Sequence, residues 1–224
     1  MSAQYYPEIF DVSDIERAKK IILTEEGPGA DTETRWRVET PYVIELIGGA
    51  FALRPDMVVL DYGCGIGRIA KAIIAAAGCS VIGVDISPNM RALAVHYVNS
   101  ERFVALSPAQ FDLLVGAGLR THAAISVWVL QHCFAPADDI ARIGRGLAAG
   151  GRGFVLNMPK RAVPALLDQP SDDGRFLWAS DSIDVAALLR AAFDVAAEGV
   201  PDPSRTPKMA DVGAYWMSLR QPPG

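Results

Sequence analysis

A run of glycines near residue 63 is the part of the sequence whose residue types most clearly permit chemistry. The segment 58–68 reads VVLDYGCGIGR, in which an apolar run leads into Gly63, Gly65 and Gly67. Glycine lets the backbone turn sharply and lie against a ligand, and the helix expected next offers unpaired N–H groups. Dinucleotide sites use the spacing G-x-G-x-x-G. Here the third glycine comes one residue early, and Arg68 occupies the expected position.

A carboxylate follows these glycines at a distance that suits ribose binding. Asp85 stands eighteen residues after Gly67 and ends a second short apolar run. Sheet topology brings the end of such a strand beside the glycine turn, where a carboxylate can accept hydrogen bonds from both ribose hydroxyls. The alternative is that Asp85 only caps the next helix. Because Ser87 and Pro88 already supply a cap, we favour the ribose role.

The elements that must position these residues alternate between short apolar runs and helical segments. Crossover connections of this kind are right-handed and place helices on both faces of a mainly parallel sheet. The pattern predicts a doubly wound α/β fold with seven strands. The strands are predicted at residues 57–60, 80–84, 102–106, 123–129, 153–158, 193–200 and 212–219. The helices between them are predicted at residues 66–77, 88–98, from 108 onward, 136–148 and 181–192.

The first 55 residues are predicted to form a helical lid, and residues 56–224 the α/β domain. Ser13 with Glu16 three residues later predicts a capping box, and Pro41 suits the first position of a second helix. These two helices are predicted at residues 15–24 and 41–52. Three stretches are read as irregular: residues 25–35, 159–180 and 201–210.

Composition and charge narrow the function. The chain of 224 residues has 21 Lys and Arg against 26 Asp and Glu, a formal charge of −5, and its basic residues are scattered. No basic patch for a phosphate backbone is present, so we expect no nucleic-acid partner. Cys64, Cys79 and Cys133 form no C-x-x-C pair, which predicts neither disulfides nor a metal site and favours a reducing compartment.

Targeting signals are also missing from the sequence. The first twenty residues contain early acids and lack the basic-then-apolar order of a signal peptide. The most apolar stretch, residues 69–86, is interrupted by Lys71 and Asp85 and is too broken to span a membrane. We therefore expect a cytoplasmic protein without a membrane partner; its oligomeric state is not legible.

Four features in the expected order resemble the class I S-adenosylmethionine-dependent methyltransferase family. They are the D-x-G-x-G-x-G run at 61–67, the acid at 85, the phrase WVLQH at 128–132 and the Gly150-Gly151 turn before strand five. The resemblance covers about residues 36–160 and, more weakly, the last two strands. It implies a Rossmann-like methyltransferase fold, S-adenosylmethionine as cofactor and a small-molecule methyl acceptor.

The resemblance also carries over a set of cofactor contacts. At the amino acid end of the cofactor these are Asp61, Gly63, Cys64 and Gly65, with Arg35 for its carboxylate. At the nucleoside end they are Asp85 for the ribose and Ile86, Met90, Leu106 and Ser107 around the adenine. Beside the sulfonium they are Ser126, Val127 and Trp128. The family often has an acid for the adenine amino group where Ser107-Pro108 stands here.

The acceptor side is less legible. His132 is the best candidate for a general base, because imidazole titrates near neutral pH and the residue follows a strand at its carboxyl end; alternatively, it only packs against the next helix. Trp36, Tyr5 and Tyr6 are candidates to line an acceptor pocket, or to anchor the lid. Two other functions stay open: an NAD(P)-dependent oxidoreductase, disfavoured by the glycine spacing, and a non-catalytic protein that binds a nucleoside.

Overall fold

Helices and strands alternate along most of the chain in the computed structural model, which describes residues 4–24, 31–171 and 174–223. The helices are a 3-10 helix at Pro7–Phe10, α1 (Ile15–Ile22), α2 (Thr32–Ala50), α3 (Arg68–Ala77), α4 (Pro88–Val98), α5 (Pro108–Gly116), α6 (Pro136–Gly146), α7 (Val185–Ala192) and α8 (Pro207–Asp211). The strands are β1 (Gln4–Tyr5), β2 (Val58–Tyr62), β3 (Ser80–Val84), β4 (Phe103–Leu106), β5 (Thr121–Val127), β6 (Leu147–Asn157), β7 (Val163–Ser171), β8 (Gly174–Ala179), β9 (Asp194–Gly199) and β10 (Tyr215–Arg220). In the described part of the chain, no helix has the length and apolar character needed to cross a membrane.

Seven strands form one sheet in the order β4-β3-β2-β5-β6-β10-β9. Strand β10 runs antiparallel to both of its neighbours, and the remaining pairs are parallel. The doubly wound, mainly parallel sheet predicted from the sequence is therefore confirmed. The chain leaves β2 toward one side through β3 and β4 and returns to the other side at β5. Open α/β sheets bind ligands at such a switch point, beyond the carboxyl ends of the strands.

Alternation along the strands divides the core into two layers. In β2, Val59 packs with α2 and α3 on one face, and Leu60 packs with α5, α6 and α7 on the other. Helix α2 contributes Tyr42, Val43 and Ile47 to the first layer, all at most 5% exposed. This helix is thus part of the core, and the residues that cover the cavity described below come from residues 4–22. The predicted division of the chain at residue 55 stays a prediction.

A second sheet of three strands, in the order β1-β7-β8, replaces the irregular insertion predicted at 159–180. Tyr5 of β1 pairs with Ala165 of β7, and β7 pairs antiparallel with β8. Two prolines in β7 hid this strand from the sequence pattern, because proline cannot donate to a ladder and argues against a strand. The strand tolerates Pro164 because its carbonyl still accepts a hydrogen bond from the backbone N–H of Tyr6 (2.9 Å).

Two helix starts near the amino terminus differ from the prediction. Helix α1 is capped by Asp14, which accepts from the N–H of Arg17, and not by Ser13. Helix α2 begins nine residues before Pro41, behind Asp31, whose side chain accepts from the N–H of Thr34. Asp14 and Asp31 are the N-caps because each lies one position before the first turn and accepts hydrogen bonds from its free N–H groups. Part of the predicted loop at 25–35 is therefore helix, while residues 25–30 lie outside the described residues.

Candidate active site

The glycine turn between β2 and α3 has the backbone that its sequence predicts. Gly63, Gly65 and Gly67 all have positive φ, at 74°, 52° and 81°, a region that is open to glycine and costly for other residues. A Cβ on Gly63 would lie 2.3 Å from a methyl carbon of Val129, and one on Gly65 would lie 2.8 Å from Ile22 of α1. Glycine is therefore required here by conformation and by space.

Asp85 ties the end of β3 to this turn. Its Oδ2 accepts from the backbone N–H of Gly65 and its Oδ1 from that of Ser87, both at 2.9 Å. Ser87 itself caps α4 by accepting from the N–H of Met90 (2.9 Å), so the aspartate is not needed as the cap. Burial raises the pKa of the Asp85 carboxyl. Each of its oxygens has a second lone pair, which leaves acceptor capacity for two ribose hydroxyls.

Asp61, at the carboxyl end of β2, is the most deeply placed charge of the site. The residue is 2% exposed, and its Oδ2 has no hydrogen-bond partner among the described residues. Burial raises the pKa of this carboxyl to about 7, although Arg68 opposes the shift. A buried carboxylate oxygen without a donor is unfavourable. The arrangement fits a ligand that brings a positively charged donor, such as the ammonium of the predicted cofactor.

Arg68 stands beside Asp61 and is itself buried. Its Nη1 donates to Thr40 Oγ1 (3.2 Å), and its guanidinium lies 5.4 Å from the centre of the Trp36 ring. Burial lowers the pKa of the guanidinium to about 10, which leaves it charged at neutral pH. Arg68, and not the predicted Arg35, lies in the cavity wall beside the glycine turn.

A cavity of about 620 Å³ extends from the glycine turn and Asp85 to α6 and the amino-terminal segment. Nine of the thirteen predicted cofactor residues line it: Asp61, Gly63, Cys64, Gly65, Asp85, Ile86, Met90, Val127 and Trp128. The other four, Arg35, Leu106, Ser107 and Ser126, are not part of its wall. Ser107 forms the capping box of α5 with Gln110, and Arg35 pairs with Glu39 (2.7 Å) and donates to the carbonyl of Thr24.

Trp128 lies just beyond β5 with a φ of 63°, one of two non-glycine residues with positive φ in the described part of the chain. Such a conformation costs on the order of 1–3 kcal/mol and concentrates at functional sites. Its indole Nε1 is buried without a partner among the described residues. The chain turns at this residue after β5, and the consecutive residues Val127, Trp128 and Val129 all line the cavity.

His132 is held in one tautomer by its neighbours. Its Nδ1 lies 2.6 Å from the carbonyl oxygen of Ala162, and its Nε2 lies 3.1 Å from Nε2 of Gln131. Since a carbonyl only accepts, the proton sits on Nδ1, and Nε2 accepts from the Gln131 amide. Burial lowers the pKa of the imidazole below its usual value. The ring lines the cavity, and the lowered pKa favours its neutral form.

The amino-terminal segment closes one side of the cavity. Tyr5, Phe10 and Ile22 line it, and Asp11 anchors the segment by accepting from Ser87 Oγ (2.5 Å) and from the N–H of Asn89 (3.1 Å). Of the predicted acceptor residues, only Tyr5 reaches the wall. Tyr6 pairs through its backbone with Pro164 in the second sheet.

The third predicted acceptor residue, Trp36, lies outside the cavity wall. Its Nε1 donates to the hydroxyl of Tyr97 (3.1 Å), and the two rings meet edge to face with their centres 6.1 Å apart. Its ring therefore joins α2 to α4, whereas the structural alternative predicted an anchor between the lid and the sheet.

Sequence reasoning missed a polar network on the wall formed by Tyr62, Asp139 and Arg142. The Tyr62 hydroxyl donates to Asp139 Oδ1, and Arg142 Nη1 donates to that hydroxyl (2.9 Å) and to Asp139 Oδ1 (3.0 Å). Arg142 Nε also donates to both oxygens of Asp112 (3.0 and 3.1 Å). The pair Asp138-Asp139 in the first turn of a predicted helix was the available signal, but acids there are favoured on any helix.

Comparisons with known proteins agree with this geometry. Residues 59–151 match a family model described as a methyltransferase domain, and this segment contains the glycine turn, Asp85, Trp128 and Asp139. No curated protein gives a significant match.

Several solved structures share the fold at low sequence identity. The [4+2]-cyclase SpnF is 18% identical, with a TM-score of 0.62 and coverage of 89% of this chain and 86% of its own. Geranyl diphosphate C-methyltransferase from Streptomyces coelicolor, solved with S-adenosyl-L-homocysteine, is 12% identical, with a TM-score of 0.59 and coverage of 97% and 87%. A putative methyltransferase bound to the Haloferax volcanii Trm112 activator is 16% identical, with a TM-score of 0.56 and coverage of 82% and 91%.

At these identities the solved structures establish the fold alone, while the family match identifies the domain. Residues 59–151 therefore match a methyltransferase domain, and the chain shares its fold with solved methyltransferases.

Proposed function

We propose that this protein is an S-adenosylmethionine-dependent methyltransferase that transfers a methyl group to a small-molecule acceptor bound in the same cavity as the cofactor. The observation that carries the proposal is the continuity of one cavity, whose wall includes both the glycine turn and the aromatic side chains of the amino-terminal segment. Its volume of about 620 Å³ lies within the range of roughly 300–1,000 Å³ typical of small-ligand pockets. An acceptor enclosed by this segment has to be small.

The residues present fit the cofactor. Asp61 would hold its ammonium, because the buried Oδ2 lacks a donor, and Asp85 would hold the ribose. When bound, S-adenosylmethionine supplies a methyl carbon that a lone pair of the acceptor attacks as the carbon–sulfur bond breaks and its electrons pass to sulfur. The chain's own contribution is to align the two ligands and to exclude water from the cavity.

We keep His132 as the proposed general base, with one condition that the geometry sets. Its Nε2 accepts from Gln131, so this hydrogen bond must be exchanged for one from the acceptor before the imidazole can remove a proton. Its Nδ1–H bond to Ala162 supports the role, because it fixes the orientation of the ring and leaves Nε2 as the basic atom.

The three free cysteines, Cys64, Cys79 and Cys133, support a reducing compartment, and we propose a cytoplasmic location on that basis.

Titration calorimetry with S-adenosylmethionine, S-adenosylhomocysteine and NADH tests the proposed function, followed by methyl transfer across a panel of small acceptors. We expect both adenosyl compounds to bind with micromolar affinity and NADH to bind at least a hundredfold more weakly. Tight binding of NADH alone would favour the oxidoreductase alternative. Binding of S-adenosylhomocysteine without transfer to any acceptor would favour the non-catalytic alternative, in which the chain only holds a nucleoside.

A further inference from the structure

The cavity wall carries more negative than positive groups. Two of its residues bear guanidiniums, Arg68 and Arg142. Six bear carboxylates: Glu8, Asp11, Asp61, Asp85, Asp138 and Asp139. The assigned cofactor contacts account for Asp61 and Asp85, and Asp11 anchors the amino-terminal segment. The remaining carboxylates favour a cation over an anion in the space left for the acceptor.

Neither guanidinium is placed to attract an anionic acceptor against the excess of carboxylates in the wall. Arg142 already donates to two carboxylates, Asp112 on α5 and Asp139 on its own helix. Arg68 lies beside Asp61 and packs against Trp36. An anion would therefore have to compete with existing ion pairs while facing further carboxylates.

Asp139 is the carboxylate best prepared for a ligand. Tyr62 and Arg142 both donate to its Oδ1, which fixes the side chain. The Cys133 thiol also hydrogen-bonds to this carboxylate, and the Asp139 side chain is 21% exposed within the cavity wall. Tyr5 lines the same cavity, and its burial raises the pKa of its hydroxyl. The hydroxyl therefore stays neutral and can donate a hydrogen bond. Because a thiol is a weak donor, the fixed Asp139 carboxylate keeps acceptor capacity for a charged donor from a ligand.

Aromatic rings line the same cavity as this carboxylate. Tyr5 and Phe134 pack with ring centres 5.4 Å apart, and Phe10 and His132 with centres 5.8 Å apart. Aromatic faces attract cations by about 0.5–2 kcal/mol and bury the apolar body of a ligand equally well. Glu8 and Asp138 add two carboxylates that have no hydrogen-bond or ion-pair partner among the described residues.

We propose that Asp139 binds a protonated amine of the acceptor, and that the cavity selects acceptors with an apolar body and a positively charged nitrogen over neutral and anionic ones. This inference rests on the proposed function, since it concerns the acceptor of that same reaction. The ammonium is a recognition group here, whichever atom of the acceptor receives the methyl group.

The test uses three probes that share a phenyl ring on a two-carbon arm: phenethylamine, 2-phenylethanol and 3-phenylpropanoate. Each is titrated into the full chain saturated with S-adenosylhomocysteine, at pH 7.5. We expect phenethylamine to bind at least tenfold more tightly than either of the other two. Asp139→Asn keeps the size of the side chain and should weaken phenethylamine at least tenfold while leaving 2-phenylethanol within threefold.

Asp112→Asn is the matched control, because Asp112 pairs with the same arginine but is not part of the cavity wall. This variant should keep the preference for the amine, whereas a merely structural role of the network would give both variants the same effect. Equal or tighter binding of 3-phenylpropanoate to the unaltered chain, or no binding of phenethylamine, would overturn the inference even if Asp139→Asn failed to fold. If S-adenosylhomocysteine itself does not bind, the proposed function fails first.

Discussion

The two ends of the cavity are built in different ways. The cofactor end consists mainly of backbone: three glycines with positive φ, the N–H groups of the turn, and carboxylates at the ends of adjacent parallel strands. The acceptor end consists of side chains from separate segments, with Tyr5 and Phe10 from the amino terminus, His132 from the loop after β5 and Asp139 from α6. The sequence of the cofactor end has little freedom to vary, while a few substitutions can change the shape and charge of the acceptor end.

The largest expected effect lies in the glycine turn. Gly63→Ala places a Cβ 2.3 Å from Val129 in a residue with a φ of 74°, so strain and overpacking should together cost about 3 kcal/mol. We expect a clear loss in the free energy of unfolding, measured by chemical denaturation, and at least a hundredfold loss of S-adenosylhomocysteine affinity. Gly150→Ala is the control, since Gly150 has a φ of 70° and no atom near the position of the added Cβ. Equal losses in both variants would show that the turn's close packing is unimportant.

Asp85→Ala removes a charged acceptor from the cofactor end. We expect S-adenosylhomocysteine affinity to fall by on the order of 2 kcal/mol, about thirtyfold, because the ribose hydroxyls lose their partner. Calorimetry measures the change, and Asp85→Asn should give an intermediate loss because it retains one acceptor oxygen. An unchanged dissociation constant for the alanine variant would remove the ribose assignment.

Asp61 gives the cofactor end a pH dependence. Its pKa is raised from 3.8 to about 7 by burial, so the folded state favours the protonated carboxyl. The stability that this group contributes is full below pH 4 and is lost as the pH rises to 7. The ammonium of the cofactor needs the carboxylate, so S-adenosylhomocysteine should bind about tenfold more weakly at pH 6 than at pH 8.

Asp61→Asn tests both parts of this statement. The variant should unfold at higher denaturant concentration than the unaltered chain at pH 8, and its affinity for S-adenosylhomocysteine should be lower and independent of pH between 6 and 8. If the unaltered chain already binds equally well across that range, Asp61 does not hold the ammonium.

The smallest effect on cofactor binding is expected at the acceptor end. His132→Ala should change S-adenosylhomocysteine affinity by less than twofold, because the imidazole contacts Gln131 and Ala162 and none of the assigned cofactor residues. With an acceptor in hand, its turnover should fall. Since burial lowers the imidazole pKa below 6.5, turnover of the unaltered chain should be constant from pH 7 to 9 as far as this group is concerned. Undiminished turnover of the variant would assign His132 a packing role.

The same contrast explains what could be predicted from the sequence. The glycine turn and the cap at Ser87 depend on residues a few positions apart, and the sequence predicts both correctly. The pairing of Tyr5 with Ala165 and of Tyr62 with Asp139 joins residues far apart in the chain. No local pattern reports such contacts, and the prolines of β7 pointed away from a strand.

Arg35 and Arg68 show most clearly which site residues the sequence could not predict. Both are arginines near the predicted site, and the sequence favoured the first because of its place in the presumed lid. Arg35 instead forms an ion pair with Glu39, four residues later on the same helix. Oppositely charged residues at this spacing are neighbours on a helix surface. Arg68 reaches the cavity because it begins α3 directly after the glycine turn.

A crystal structure of the chain with S-adenosylhomocysteine tests the central claim most directly. The account predicts a ligand in the cavity with its ribose hydroxyls on Asp85, its ammonium at Asp61, and free space between the sulfur and Asp139. Density for the ligand at any other surface, or a cavity closed by Ile22 when the ligand is present in excess, would contradict it.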